Sequence, residues 1–264
     1  MRVAVLPVMM DPEFSVPFFV VGRSRPVDSW MQGSLLWSDF GGNVVEGEAV
    51  EEAAARELVE ETAGVLLPMS DLRMFAQALR DSIFVVRIHT EDSLTFVVRF
   101  AWRPSLPFEF GVVHKHLRAL GRVSRGVPLT AAERLLLCRF RWLQSHADPT
   151  LQKWINHPAV RVRRQILPAS AVQSASNALS EALHSSRRQV DVQTPSSCIV
   201  IDGVRSSWIE KDQMELFTIQ QLQAALKAPG LTCSHGQTME FAPSFLTTLR
   251  VLVKAMMTGQ FACH

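Results

Sequence analysis

Apolar and polar residues alternate in three textures along this chain. Near the start, residues 2–9 (RVAVLPVM) and 16–22 (VPFFVVG) are short β-branched and aromatic runs, and each predicts a strand. The turn signal Asp11-Pro12-Glu13 separates them. A long loop over 23–40 then leads to the glycine pair Gly41-Gly42. From Ala49 to Thr62 there is no Gly or Pro, and Ala and Glu dominate, which predicts a helix. Residues 72–79 read as a strand. Residues 82–89 and 94–102 read as a β-hairpin around the polar turn 90–93.

The texture changes after Trp102, where Pro104 and Pro107 break the strand. Residues 108–120, 130–145 and 169–185 predict helices. Thr130 with Glu133 forms a capping box for the second of them. A polar stretch over 185–197 reads as a linker, followed by a short strand at Cys198–Asp202 and a turn at Gly203. Residues 208–226 read as strand, turn and helix, with Thr218 as N-cap and Gln221 completing a capping box. A last helix over 242–257 carries Phe245, Leu246, Leu249 and Leu252 at helical spacing. The expected organisation is an α/β domain made of residues 1–102 and 196–264, split by an α-helical insertion over 103–195.

Composition adds bounds. With 264 residues and 47% hydrophobic content the chain can bury a core, and no apolar run is long enough to span a bilayer. Cys138, Cys198, Cys233 and Cys263 are widely spaced, which predicts reduced thiols in an intracellular protein. No secretory signal is visible, so the expectation is a cytoplasmic protein, or a mitochondrial matrix protein if a presequence has been removed. The net charge is +2, but it is unevenly spread. Residues 103–195 hold fourteen Lys or Arg against five Asp or Glu, a local excess of nine positive charges that leaves the remainder at minus seven.

The helix over 49–62 holds the chemistry. Glu57, Glu60 and Glu61 fall at i, i+3 and i+4, so three carboxylates share one face within a turn. Like charges so placed repel. Two readings are open: a solvated acidic face, or a site for a hard cation such as Mg²⁺, which takes carboxylate oxygens. The neighbouring apolar positions Ala54, Leu58 and Val65, and the glycine loop, suit the second.

The run GGNVVEGEAVEEAAARELVEETAG resembles the Nudix box, with Gly42, Glu48, Arg56, Glu57, Leu58, Glu60 and Glu61 at its fixed positions. The pattern's closing Gly falls on Ala63, and Gly64 comes one residue late. The expected remedy is a helix one residue longer, capped at Gly64, with Val65 as the aliphatic residue. The resemblance implies a Nudix fold, a mixed β-sheet flanked by helices. It implies hydrolysis of a diphosphate linkage with Mg²⁺ or Mn²⁺. It also implies Glu57, Glu60 and Glu61 as ligands, joined by a backbone carbonyl at Gly41 or Gly42. By the same resemblance Glu48 is an outer carboxylate that contacts metal through water or pairs with Arg56, and Arg56 orients the acidic cluster. Glu210 is a candidate general base, against the alternative of an ordinary exposed acid. His114 and His116, two apart on a helix, do not face together and make no metal pair.

Substrate choice is read from elsewhere in the chain. Trp30, Trp37 and Phe40 either line a base-binding slot or pack the loop down. Arg161, Arg163 and Arg164 form the densest part of the basic span, together with Arg187 and Arg188. A basic span can track an RNA backbone, balance the acidic frame, or meet a protein partner or a second copy. The leading expectation is hydrolysis at the 5′ end of RNA, a cap or triphosphate, leaving a 5′-monophosphate. The alternatives are hydrolysis of a small nucleoside-diphosphate derivative, or a regulatory subunit that binds RNA or protein.

Overall fold

The computed structural model describes residues 1–24, 35–81, 85–124, 156–166, 197–227, 231–232 and 238–258. The chain divides into two compact units, Met1–Arg118 with Arg205–His264, and Ala119–Val204.

The first unit is built on β1 (Arg2–Met10). Residues 3–9 of this strand are all buried, as a strand covered on both faces must be. It pairs in parallel with β6 (Ser93–Phe100) along its length, Arg2 against Ser93 through Met9 against Phe100. On its other edge two strands share it. Its first half pairs antiparallel with β4 (Phe40–Asn43) and its second half with β2 (Pro17–Ser24). Beyond β2 lie β3 (Trp37–Ser38) and β9 (Lys211–Thr218), and beyond β6 lies β5 (Val86–His89). These seven strands form one mixed sheet among the described residues.

Helices cover the sheet. Leu6, Val8, Phe19 and Val21 on one face pack against α4 (Ile219–Lys227) and α5 (Pro243–Met257) through Leu222, Ala225, Phe245, Leu249 and Leu252. Successive strand residues point to opposite faces, so Val3 and Val5 look the other way, toward α1 (Val50–Glu61). The helix α2 (Leu72–Asp81) packs on α1. Arg103 then ties the start of α3 (Leu106–Ser124) to the segment after α1, donating to the Val65 carbonyl at 2.8 Å and pairing with Glu109. The α4 start is a reciprocal cap. Gln221 N–H donates to Thr218 Oγ1 at 3.3 Å, and Thr218 N–H donates to Gln221 Oε1 at 2.8 Å.

The second unit holds an antiparallel ribbon of β7 (Val160–Ile166) and β8 (Ser197–Val204), with a register shift between Arg161 and Val162. Three expectations are corrected here. Residues 160–166 are a strand inside the span expected to be helical. Gly203 lies within β8, opposite Arg161, and does not turn the chain. Residues 72–79 are helical. Their apolar positions Leu72, Ala76 and Leu79 recur at i, i+4 and i+7, a helix period, and Ala76 and Leu79 are the buried ones. The expected helices at 130–145 and 169–185 lie outside the described residues. So do Cys138, Cys233, Cys263 and the side chain of Cys198.

The end of α1 also departs from expectation. The helix stops at Glu61 with Thr62 as C-cap. Ala63 N–H donates to the Glu60 carbonyl at 3.0 Å and Gly64 N–H to the Val59 carbonyl at 2.8 Å. This is a Schellman cap with Ala63, φ 52°, in the left-handed position that glycine favours. Gly64 is left-handed too, φ 69°. The residue deeply buried beyond the cap is Leu67, while Val65 is half-buried. Alanine at C′ costs about 1 kcal/mol of backbone strain, while its buried methyl returns about 0.8 kcal/mol. Ala63→Gly is therefore expected to leave stability within about 0.5 kcal/mol. Gly64→Ala is expected to cost about 1 kcal/mol, because its new Cβ meets nothing closer than the Trp208 ring at 3.6 Å and the loss is conformational. Urea denaturation of both variants checks the contrast.

Candidate metal centre

The carboxylate-bearing helix sits against β4 because two glycines let it. A Cβ at Gly41 would stand 2.2 Å from the Val3 carbonyl oxygen and 2.5 Å from Ala4 Cβ. A Cβ at Gly42 would stand 2.5 Å from Glu57 Oε1. The first glycine lets β4 lie on β1, and the second leaves room for the Glu57 carboxylate.

Glu61 is 5% exposed and held at two points. Its Oε2 accepts from Gly41 N–H at 2.7 Å, and its Oε1 lies 3.6 Å from Lys211 Nζ. Lys211 is itself 3% exposed. Its ammonium donates to Ser38 Oγ at 2.7 Å and lies 3.4 Å from Ser24 Oγ. The register shift between Arg23 and Ser24 sets Ser24 opposite Lys211 at the mouth of β9. Burial pushes the Glu61 carboxyl up to about 7. Glu57 adds to the rise, while Lys211, the Gly41 amide and Arg2 oppose it.

Arg56 orders the other carboxylates. It forms a fork on Glu48, at 2.8 and 2.9 Å, and donates to Glu57 Oε1 at 2.6 Å and to the Asn43 carbonyl at 3.2 Å. Glu60 lies 3.9 Å from the same guanidinium. The Arg56 hydrogen bonds hold Glu48 below the usual carboxylate range. Burial lifts Glu57, helped by the charges of Glu60 and Glu48 and opposed by Arg56. Glu210 caps the short 3₁₀ turn Ser206–Ile209 just before β9. Its carboxyl is also raised, first by desolvation and then by the charges of Glu57 and Glu60.

Glu57 thus links the acids: it raises both Glu61 and Glu210, Glu60 raises both Glu57 and Glu210, and Gly42 backs onto Glu57. Glu48 is spent on Arg56, the second of its two expected roles. Trp30 lies outside the described residues, and Trp37 and Phe40 take the second of their two readings. They are 2% and 0% exposed and belong to the core, not to an open slot. Trp37 meets Phe217 edge-on at 6.2 Å, and its backbone bonds Glu240 and Ala242. A loop of alternating aromatic and polar residues gave no means of telling a slot from a core plug. Arg161 is exposed on β7, where Arg163 and Arg164 pair in register with Val200 and Ile199. The side chains of Arg163 and Arg164 lie outside the described residues.

Sequence reasoning missed Lys211, Arg2 and Asp39. Asp39 is fully buried, accepting from Arg2 at 2.7 Å and from Thr95 Oγ1 at 3.2 Å. These pairings join distant parts of the chain, so no local spacing announces them.

Among the described residues no group of three His, Cys, Asp or Glu side chains is gathered closely enough to hold a metal ion by itself. The donor chemistry nonetheless fits a hard divalent cation. The donors are all carboxylate oxygens, and Glu57 and Glu210 are pushed up partly by one another's neighbours, a repulsion that a cation relieves.

Residues 1–111 match the family model described as the NUDIX domain. The Nudix assignment of this part of the chain is supported by that match. No curated protein matches the chain. Among solved structures it is similar to a Nudix hydrolase from M. Smegmatis, RenU, at 16% identity and a TM-score of 0.26, covering 39% of this chain and 61% of that one. It is similar to a C. elegans Ap4A hydrolase in a binary complex, at 14% identity and a TM-score of 0.25, covering 39% and 67%. It is also similar to a mutT/nudix family protein from Listeria innocua, at 15% identity and a TM-score of 0.24, covering 42% and 68%. The chain thus spans less than two thirds of the RenU structure.

Two outcomes follow from this geometry. Gly41→Ala forces backbone apart and is expected to cost about 2 kcal/mol or more. Gly42→Ala meets only the movable end of Glu57, so its expected stability cost is under about 1 kcal/mol while Mn²⁺ affinity falls about tenfold. Denaturation and Mn²⁺ titration of the pair separate these effects. The second outcome concerns pH. In metal-free protein the Glu61 carboxyl titrates at about 7 when folded and near 4.5 when unfolded. Between those values the folded state holds the extra proton, so stability falls as pH rises through this window and levels off above it. Melting curves in chelator across the window are expected to show that fall, and Glu61→Gln to flatten most of it.

Proposed function

We propose that this chain, a Nudix-domain protein through its first 111 residues, hydrolyses a diphosphate linkage at the 5′ end of RNA, a cap or a triphosphate, and leaves a 5′-monophosphate. The observation that carries the hydrolase reading is Glu57 packed on Gly42 and Glu61 bonded to the Gly41 amide, with the charges of Glu57 and Glu60 reaching Glu210. A bound Mg²⁺ or Mn²⁺ neutralises phosphate charge and lowers the pKa of an attacking water. Glu57, Glu60 and Glu61 are the residues to hold it. Arg56 fixes Glu57 by direct donation, and Glu48 fixes Arg56 in turn. Glu210 is the proton acceptor in this scheme, since a carboxyl raised toward neutral pH is a better base than an ordinary one.

Support for an RNA substrate comes from charge. The fourteen basic residues of span 103–195 outnumber its acids by nine, enough to neutralise several backbone phosphates. A second reading, a small nucleoside-diphosphate derivative as substrate, is favoured by a cavity of about 620 Å³ beside Glu60, within the size range of small-ligand pockets.

A panel of capped RNA, triphosphorylated RNA, dinucleotides and nucleotide sugars with Mg²⁺ tests these readings. RNA 5′ ends are expected to be cleaved, and Glu61→Gln to lose about a hundredfold or more in rate. Replacing Arg163 and Arg164 by Ala is expected to weaken RNA binding and to lower its salt slope by about two. Rapid cleavage of a free dinucleotide with RNA untouched overturns the RNA reading in favour of the second.

A further inference from the structure

The helix α1 presents two stripes. Glu57 and Glu61 face the glycine strand. Glu52, Arg56 and Glu60, at i, i+4 and i+8, line a cavity of about 620 Å³ closed on its far side by α2. Glu60 stands beside both, as part of the carboxylate cluster and of the cavity wall.

The cavity wall carries four guanidiniums, Arg56, Arg73, Arg80 and Arg205, against three carboxylates, Glu48, Glu52 and Glu60, an excess of one positive charge. Arg56 is committed to Glu48 and Glu57, and Arg80 lies 3.9 Å from Glu51. Arg73, on the first turn of α2, and Arg205, just before the 3₁₀ turn Ser206–Ile209, also line the cavity. Both are exposed, and among the described residues neither guanidinium makes a hydrogen bond or ion pair. Two uncommitted guanidinium forks from separate chain segments thus meet on one small cavity. Each offers paired donors matched to phosphate oxygens. The same wall includes the apolar side chains of Met69 and Leu72, against which a flat ring gains burial.

We propose that this cavity seats one nucleotide of the substrate, its phosphates on Arg73 and Arg205 and its ring on Met69 and Leu72. The seat deepens the hydrolase reading and rests on it for the link to turnover. Glu60, which lines the cavity and belongs to the carboxylate cluster, then lies between the seat and the residues assigned to the reaction.

The test is equilibrium binding of ADP, adenosine and pyrophosphate to the full chain in chelator, where no metal bridges ligand and protein. ADP is expected to bind with one-to-one stoichiometry and more tightly than adenosine or pyrophosphate. Arg73→Glu and Arg205→Glu are each expected to weaken ADP about tenfold or more, while Arg250→Glu, an exposed charge reversal on α5, leaves it unchanged. Failure of ADP to bind, or equal affinity in all three variants, overturns the seat. Pyrophosphate bound as tightly as ADP overturns the nucleotide assignment. If ADP binding depends on both arginines while the whole substrate panel stays uncleaved in Mg²⁺, the seat stands and the hydrolase reading falls.

Discussion

The carboxylate of Glu61, enclosed between the Gly41 amide at 2.7 Å and the Lys211 ammonium at 3.6 Å, joins three elements of the fold. It fixes the end of α1 to β4 on one side and to the mouth of β9 on the other. That contact requires Gly41, since any side chain there would collide with β1. It also requires the register shift in β2 that sets Ser24 opposite Lys211. An isolated buried carboxylate is costly. Here the cost is offset by a hydrogen bond and a nearby cation, although burial still raises the carboxyl to about 7.

The same logic extends outward. Arg56 binds Glu48 and Glu57, and Arg2 binds Asp39 beside the Gly41 carbonyl. Each cation reaches more than one group, which lets several acids crowd a small region without complete neutralisation. Burial raises the carboxyls of Glu57 and Glu210 first, and the charges of neighbouring acids add to the rise. A bound cation would relieve the part of that rise that comes from neighbouring acids, and this is the physical basis of the proposed metal-dependent reaction.

How much of this was legible in the sequence depended on the range of the interaction. The helix bearing Glu57, Glu60 and Glu61 could be read because its composition and i, i+4 spacing are local, and the Thr218–Gln221 cap for the same reason. Residues 72–79 were legible in principle, but a short apolar run hides its period, and tertiary packing on α1 decided for helix. Ala63 was misread because a left-handed alanine is unfavourable in isolation, yet the two Schellman hydrogen bonds hold it there. Trp37 was ambiguous until its edge-on contact with Phe217 and its place in the buried cluster put it in the core. Lys211 was invisible, since its meaning lies wholly in a contact with a residue far away in the chain.

The most direct test of the central claim is a crystal structure of the full chain grown with Mn²⁺ and read by anomalous scattering. A strong anomalous peak is expected in contact with carboxylate oxygens from Glu57, Glu60 and Glu61, and it is expected to be lost in Glu57→Gln. A peak confined to other residues, or no peak at saturating Mn²⁺ in well-ordered crystals, would contradict it.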